Sequence, residues 1–311
     1  MAVAVPEDIL SAQTEISVVS TGYARGKRIP WWLKMVIKIA LSRMPVPYGL
    51  WAKLGVFRHG DVDKKLPNLQ GGFSDHFQAY QQHKEGVPGI CLELGPGDSI
   101  GHALSGKAVG VSSTCLIDAG DFARKDDAHY RAFYDYLVAQ GALFSSAPQS
   151  FDRQSILDFT NSSYMTEGLA SVCTLPADQI DLSYSTAVFE HIYRDEFQPL
   201  MHQLYRIHKT GSVSRHWVDL HDHLGGSLNS LRFSPAFWES LWVRKAGFYT
   251  NRLRMRDMVD MARVAGFTVE VPRIIRWPSL PIERRNIHAS LPQGSDDDLN
   301  VCTFLMVMRK G

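Results

Sequence analysis

The amino-acid sequence predicts an α/β fold with a doubly wound, mostly parallel sheet that ends in an antiparallel C-terminal strand. After Gly89 the chain alternates short apolar runs with helical stretches, which is typical of repeated strand–helix–strand units. The last two apolar runs suit an antiparallel pair that closes the sheet. The predicted strands are 90–94, 109–117, about 163–166, 180–185, 213–220, 268–274 and 301–308, and the predicted helices include 99–104, 127–140, 152–158, 197–207 and 254–265.

The composition is that of an ordinary globular protein without a pronounced overall charge. The chain has 311 residues, of which 45% are hydrophobic and 21% are charged, enough for one large domain with an extension. Its formal net charge of +1 gives no global basic field, so no nucleic-acid partner is expected. The four cysteines form no CxxC pair and no signal peptide is evident, which indicates free thiols in a cytoplasmic protein.

The sequence divides into an N-terminal extension and a main domain. Residues 1–28 are polar and are expected to be weakly ordered, whereas 29–86 are predicted to form a helical extension or cap, including a helix over 73–84. The main domain is predicted to span 87–311. Within this domain, 224–253 is predicted to be an insertion that forms a lid over the acceptor substrate.

The first helix of the extension is amphipathic and basic. A helix over 30–44 has one broad apolar face, formed by Trp31, Trp32, Met35, Val36, Ile39, Ala40 and Met44. Lys34, Lys38 and Arg43 lie mostly off that face. Such a helix packs on the main domain or on a second subunit of a homodimer, which is the favoured interpretation. Peripheral contact with a membrane surface is the alternative.

A glycine-rich turn follows the first predicted strand. The segment Glu93-Leu-Gly95-Pro96-Gly97 lies between a strand and a helix, where glycines permit a sharp turn and the close approach of a ligand. A dinucleotide fingerprint requires glycine at position 100, which is occupied by Ile100. The Gly-Lys-Ser/Thr sequence of a phosphate-binding loop is absent as well. The remaining signal is an acidic residue two positions before Gly-Pro-Gly.

This segment resembles the first motif of the class I S-adenosylmethionine (SAM)-dependent methyltransferases. The resemblance implies a Rossmann-like domain that binds SAM, releases S-adenosyl-L-homocysteine, and places Glu93 and the glycine loop beside the amino-acid end and ribose of SAM. Ser99 departs from the third glycine that relatives often carry, and it can cap the next helix. Asp118, at the end of the second strand, is expected to accept hydrogen bonds from the ribose, with Asp121 as the alternative.

Further matches follow in the expected order, so that the resemblance covers about residues 88–223. The segment 180–191 resembles the fourth-strand motif that ends in Glu-His, and 204–211 resembles the following helix and turn. The segment 167–176 aligns with the part of relatives that flanks the adenine ring, although ordinary loop packing explains it nearly as well. The cofactor-binding residues implied by the resemblance are Glu93, Gly95, Pro96, Gly97, Ser99, Asp118, Leu169, Ala170 and Ser185.

Methyl transfer to a hydroxyl requires a base at the carboxyl edge of the fourth and fifth strands, because the cofactor supplies the electrophile. Two clusters are expected there. One contains His191, and the other contains Asp219, His221 and His223, whose side chains can converge where the fifth strand ends. These four residues are the predicted catalytic residues. The same side chains are potential ligands of a divalent metal, but a metal site is the less favoured interpretation.

The predicted function is O-methylation of a small-molecule or carbohydrate-like acceptor by in-line transfer, with a His/Asp general base. The aromatic and arginine-rich insertion suits stacking on a ring and pairing with a phosphate or carboxylate, although its aromatic residues also fit a helix core. N- or C-methylation, an NAD(P)-dependent oxidoreductase, and a non-catalytic or membrane-associated binding protein remain alternatives. The residues predicted to bind the acceptor are Asp222, Arg232, Trp238, Tyr249 and Arg252.

Overall fold

A computed structural model describes residues 14–19, 30–41, 66–292 and 294–311 of the chain. These residues build one eight-stranded sheet, in the order β1-β7-β8-β6-β5-β2-β3-β4. The strands are β1 (Glu15–Val18), β2 (Ile90–Leu94), β3 (Ser113–Ile117), β4 (Ser163–Met165), β5 (Ile180–Thr186), β6 (His208–Asp219), β7 (Thr268–Arg276) and β8 (Val301–Arg309).

The sheet confirms the predicted Rossmann-like, doubly wound architecture. Strand β8 runs antiparallel to both β6 and β7, whereas the other neighbouring strands are parallel. The chain proceeds outward from β2 through β3 to β4 and then returns to β5, so the strand order reverses between β2 and β5. Ligands of doubly wound sheets bind outside the carboxyl ends of the strands at such a reversal.

Helices cover both faces of the sheet. One face carries α6, α7 and α10, which bury Leu92 and Leu94 of β2, and the opposite face carries α2 to α5. The helices are α1 (Trp31–Leu41), α2 (Leu66–Gln81), α3 (Gly101–Ala108), α4 (Asp127–Ala139), α5 (Arg153–Thr160), α6 (Leu169–Thr174), α7 (Arg194–Ile207), α8 (Pro235–Trp238), α9 (Leu241–Arg244), α10 (Met255–Val264) and α11 (Asp296–Leu299), with 3-10 turns at Asn229–Arg232 and Arg284–Asn286.

The N-terminal extension differs from its prediction at one point. The segment 1–28 was expected to be weakly ordered, but Glu15–Val18 pairs in parallel with β7 and forms the edge of the sheet. Its sequence, Glu-Ile-Ser-Val, alternates polar and apolar residues but is too short to give a clear strand pattern, and the strand is stabilised by backbone pairing with a distant partner. The other residues of 1–28 lie outside the described part of the chain.

Several boundaries also move relative to the sequence pattern. Strand β3 begins at Ser113 rather than 109, because Val109 and the next residue close α3 through hydrogen bonds to its last turn. Strand β6 begins at His208, before the expected turn, because His208 already pairs with Ile180 of β5. Helix α2 begins seven residues earlier than predicted, where the Leu69 carbonyl lies 3.0 Å from Nε2 of His102.

The first helix packs on the main domain, which confirms that part of the favoured interpretation. Trp31 and Met35 of α1 lie against the buried cluster formed by the 224–253 insertion, and the Trp31 ring meets the edge of Phe233 at 6.0 Å. The predicted end of the helix at 42–44 lies outside the described residues. Among the helices that the structure describes, none is long and apolar enough to cross a membrane.

Candidate functional site

The glycine turn lies at the carboxyl end of β2, beside the point where the strand order reverses. Gly95 and Gly97 adopt φ values of +66° and +62°, which side chains with a Cβ rarely adopt. A Cβ on Gly95 would also collide with the Val188 side chain, which lies on the loop after β5. The N–H of Gly95 donates to the Ile117 carbonyl at 2.8 Å. The turn is therefore fixed between the ends of β3 and β5.

Asp118 connects this turn to the loops after β3 and β4. Its Oδ2 accepts a hydrogen bond from the Gly97 N–H at 2.9 Å, and its Oδ1 accepts one from Ala119 at 2.7 Å. Its carbonyl accepts from the N–H of Gly168 at 2.8 Å, which brings the start of α6, with Leu169, next to it. The alternative residue, Asp121, instead pairs with Arg153 and Lys125 near the surface. The geometry therefore places Asp118, not Asp121, at the glycine turn.

Glu93 is buried and paired beneath the turn. Its Oε1 lies 2.7 Å from Nδ1 of His102, on the first turn of α3. Burial alone would lower the pKa of His102, but the charge of Glu93 and the hydrogen bond to it raise this pKa above its usual value. Within the described residues, Oε2 of Glu93 is buried without a hydrogen-bond partner. His102 was not predicted, because only the folded chain brings it to Glu93.

Two predicted cofactor residues have their hydroxyl groups engaged by neighbouring side chains. The hydroxyl of Ser99 lies 2.7 Å from Nε2 of His129 and accepts from the N–H of Gly101, the first residue of α3, at 3.1 Å. The N-cap residue of α3 is Ile100, so Ser99 lies one position before the cap that was expected of it. Ser185 lies 2.7 Å from Nδ1 of His216 and is 1% exposed. Its hydroxyl is directed at the neighbouring strand rather than toward solvent, so its predicted contact with the cofactor remains a prediction.

Asp219 and His221 form the predicted carboxylate–imidazole pair at the end of β6. Asp219 Oδ1 contacts Nδ1 of His221 and also accepts the His221 backbone N–H at 3.0 Å. Burial alone would lower the pKa of His221, but the hydrogen bond and charge of Asp219 raise it to about 9. The other ring nitrogen is buried, on the side where Cys302 lies. This pairing favours the imidazolium form of His221 near neutral pH, and its role as the base remains a prediction.

His191 and His223 form a second pair, which is exposed. Their rings are stacked with centroids 4.9 Å apart, and the two Nε2 atoms are 3.0 Å apart. Nδ1 of His191 lies 2.8 Å from the Tyr249 carbonyl, which requires that Nδ1 carries the proton and donates it. Desolvation of the His223 ring, together with the charges of His191 and Lys38, lowers the pKa of His223 to about 4. His223 is thus neutral at pH 7 and retains a lone pair.

Two further residues of this region were not among the predicted site residues, although Glu190 belongs to the predicted Glu-His motif. Glu190 is buried next to Asp219 and His221, and burial raises its pKa well above the usual range. Asn251 is fully buried, and its side-chain amide donates to the carbonyls of Phe189 and Ile192. A polar residue in a loop gives no sequence signal for such contacts, because they depend on how the insertion folds back.

Several residues predicted to bind the acceptor have structural roles instead. The carboxylate of Asp222 accepts hydrogen bonds from the backbone of Leu224, Gly225, Ser227 and Asn229, so it organises the turn that opens the insertion. A carboxylate with four backbone donors is not available to a ligand, and the prediction for Asp222 is wrong.

The insertion has its own small core, which accounts for three more of these predictions. Trp238 is fully buried and donates to the Thr250 carbonyl at 2.7 Å. Tyr249 is buried, with its hydroxyl 2.8 Å from Oε2 of Glu239, and Arg252 is buried over the Trp238 ring. These three side chains therefore form the core of the insertion, contrary to the prediction that they bind the acceptor. Arg232 remains half-buried, bonded to Asn229 and positioned over Trp31.

The two parts of the site are joined by the loop after β5. Val188 of this loop covers Gly95, and His191 lies three residues further along. Asp219, whose side chain is 38% exposed, and the His191–His223 pair are held at the same edge as the glycine turn. The arrangement can accept a ligand at the turn and remove a proton beside it. Among the described residues, no group of three or more His, Cys, Asp or Glu side chains is placed to hold a metal ion.

Comparisons with known proteins give structural neighbours only. No protein-family model and no curated protein sequence matches the chain. Its fold is similar to phosphoethanolamine N-methyltransferase 2 of Haemonchus contortus, solved with phosphomonomethylethanolamine and S-adenosylhomocysteine, at 15% identity and a TM-score of 0.40 over 77% of this chain. The chain spans only 53% of that neighbour.

Two shorter neighbours are covered almost completely. One is a SAM-dependent methyltransferase of Methanosarcina mazei, with 12% identity, a TM-score of 0.42, and coverage of 75% of this chain and 96% of the neighbour. The other is a SAM-dependent methyltransferase of Archaeoglobus fulgidus, with 12% identity, a TM-score of 0.41, and coverage of 78% and 94%. Likeness at this level carries no argument, so the function has to be argued from the site.

Proposed function

We propose that the protein is a SAM-dependent methyltransferase that methylates a hydroxyl group of a small-molecule acceptor. The observation that carries the proposal is the hydrogen bond from the Gly97 N–H to Asp118, which places an acidic side chain on a glycine turn at the reversal of strand order. The site's proton-accepting groups lie at the same edge. The absence of glycine at position 100 argues against an NAD(P)-dependent oxidoreductase.

The residues around the turn fit the chemistry of SAM. Asp118 offers carboxylate oxygens to a ribose diol, and the start of α6, with the half-buried Leu169 and the exposed Ala170, offers apolar surface to an adenine ring. The buried oxygen of Glu93 suits an ammonium group. When bound, SAM supplies an electrophilic methyl group, and release leaves S-adenosyl-L-homocysteine. Ser99 keeps the start of α3 in place below this surface.

The proton of the acceptor hydroxyl is taken, in this proposal, by the His191–His223 pair. His191 is held with its proton on Nδ1 by the Tyr249 carbonyl, so His223 donates to His191 Nε2 and keeps a lone pair on its own Nδ1. Asp219 remains ionised because the hydrogen bond and charge of His221 lower its pKa, although burial opposes this. It is therefore ready to accept a hydrogen bond from the acceptor and to orient its hydroxyl.

A carbohydrate-like acceptor suits this arrangement, because the carboxylate of Asp219 and the exposed imidazoles can each bind a hydroxyl group. Arg252 is not assigned a phosphate or carboxylate of the acceptor, because its guanidinium is buried in the insertion. Cytoplasmic location and homodimer formation remain predictions.

The proposal is tested by transfer of a labelled methyl group. Incubation of the protein with methyl-labelled SAM and separate panels of polyols, phenols, primary amines and activated methylene compounds should label hydroxyl compounds. His223→Ala should reduce the rate by about 100-fold, the contribution expected of a general base. His202→Ala, an exposed histidine on α7, is the matched control and should retain the rate. Labelling of amines or carbon acids alone would refute O-methylation, and SAM binding without any transfer would favour a non-catalytic protein.

A further inference from the structure

Helix α1 has two apolar faces, of which only one is covered by the main domain. Trp31 and Met35 pack on the insertion, whereas the side chains of Trp32 and Val36 are 52% and 53% exposed. Exposed large apolar side chains also occur on the insertion itself, where Leu241 is 69% exposed. We define the exposed apolar patch as Trp32, Val36, Ile37, Phe237, Leu241 and Trp242.

Helix α1 and the insertion, which carry the two halves of this patch, are joined by a row of aromatic rings. The Trp31 ring meets Phe233 at 6.0 Å, and Phe233 in turn contacts Phe237 at 5.2 Å. The guanidinium of Arg232, on the insertion, lies over the Trp31 ring, 5.4 Å from its centroid, and adds a second contact between the two. Half of the exposed large hydrophobic residues in the described part of the chain belong to this one patch. Concentration of this kind marks an interaction surface rather than scattered exposure.

The charge of the surrounding sequence indicates which kind of partner binds this surface. Residues 16–60 contain no Asp or Glu and eight basic residues, in a chain with 33 basic and 32 acidic residues overall. The remainder of the sequence therefore contains more acidic than basic residues, and the basic residues of this segment lie within α1 or flank it along the sequence. The basic residues of this segment are Arg25, Lys27, Arg28, Lys34, Lys38, Arg43, Lys53 and Arg58.

We propose that the exposed apolar patch docks on an anionic membrane surface, with α1 lying in the plane of the interface. A helix with tryptophan and aliphatic residues on one exposed face and lysines beside it buries that face at the boundary between headgroups and acyl chains. Basic residues near the surface add electrostatic attraction to acidic lipids. Because α1 packs on the insertion through Trp31 and Met35, docking places the insertion next to the interface.

Vesicle flotation of the whole protein tests this proposal without depending on SAM or an acceptor. The protein should float with phosphatidylcholine vesicles that contain phosphatidylserine and should be released by rising NaCl. Trp32→Glu and Trp242→Glu should abolish flotation. Lys34→Ala should weaken it about fivefold, converted from ~1 kcal/mol per basic residue. Leu143→Glu is the matched control, because Leu143 is 91% exposed between α4 and α5 and is not part of the exposed apolar patch, and it should float as the wild type does.

Three results would overturn the proposal, provided that circular dichroism shows each variant folded. The first is absence of flotation with anionic vesicles, and the second is equal flotation with vesicles of phosphatidylcholine alone. The third is dissociation of an oligomer by Trp32→Glu without any vesicle binding by the wild type, which would assign the patch to a second copy of the chain.

Discussion

The N–H of Gly97 donates to the carboxylate of Asp118 at 2.9 Å, and this contact joins the ends of two neighbouring strands at the reversal of the sheet. It fixes the glycine turn and aims an acidic side chain at the space above it. Because the Asp118 carbonyl also accepts from Gly168, the loop after β4 is held to the same point. Three loops thus meet at one aspartate.

Replacement of Asp118 by alanine should weaken SAM binding by about 10- to 100-fold, the range expected when hydrogen bonds to a charged group are lost. Affinity measured by calorimetry or equilibrium dialysis provides the test. Asp121→Ala is the matched control, because Asp121 pairs with Arg153 and Lys125 away from the turn. Equal effects of the two substitutions would show that the assignment to Asp118 is wrong.

Gly95→Ala should disrupt the turn for two separable reasons. A Cβ at this position meets Val188, and the φ of +66° costs an alanine about 1 to 2 kcal/mol. The variant should therefore bind SAM weakly and unfold at lower urea concentration. In Gly95→Ala/Val188→Ala the collision is removed, so part of the lost binding should return. No recovery in the double variant would mean that backbone strain alone is responsible.

Asn251→Asp should lower kcat with little change in SAM affinity. The carboxylate would face the carbonyls of Phe189 and Ile192, to which the amide now donates at 2.7 and 2.9 Å. Repulsion there displaces His191 between them, and a misplaced base costs about 100-fold in rate. Asn161→Asp, which removes a similar amide contact at a distant loop, should be silent in this assay. A fall in SAM affinity as large as the fall in kcat would contradict a role limited to His191.

The Asp219–His221 pair should stabilise the fold only within a pH window. The pKa of His221 is raised from 6.5 to about 9, so its contribution is full below 6.5 and is lost as pH rises through about 9. The pKa of Asp219 is lowered from 3.8, so its contribution is present above 3.8 and is lost at more acidic pH. His221→Gln should therefore cost stability at about pH 6 and nothing at about pH 10. A pH-independent difference in urea unfolding would contradict the charged pair.

The sequence predicted seven of the eight strands, but not β1, and it placed Asp118 at the end of a strand. Apolar runs and glycine turns are local signals that do not depend on tertiary contacts. It was misleading in the insertion, where Trp238, Tyr249 and Arg252 form a core of their own. A small core and a binding surface can both be rich in aromatic and arginine residues, so composition alone does not distinguish them. Contacts such as His191 with His223 join residues 32 positions apart, and no periodicity within either segment encodes them.

The central claim is that the glycine turn binds SAM, and calorimetric titration of the purified protein with SAM tests it most directly. S-adenosylhomocysteine, NAD⁺ and NADPH are titrated in parallel on the same preparation. The geometry at Gly97 and Asp118 predicts saturable binding of SAM and S-adenosylhomocysteine, and none of either dinucleotide. Binding of a dinucleotide, or no SAM binding by protein shown to be folded, would contradict the account.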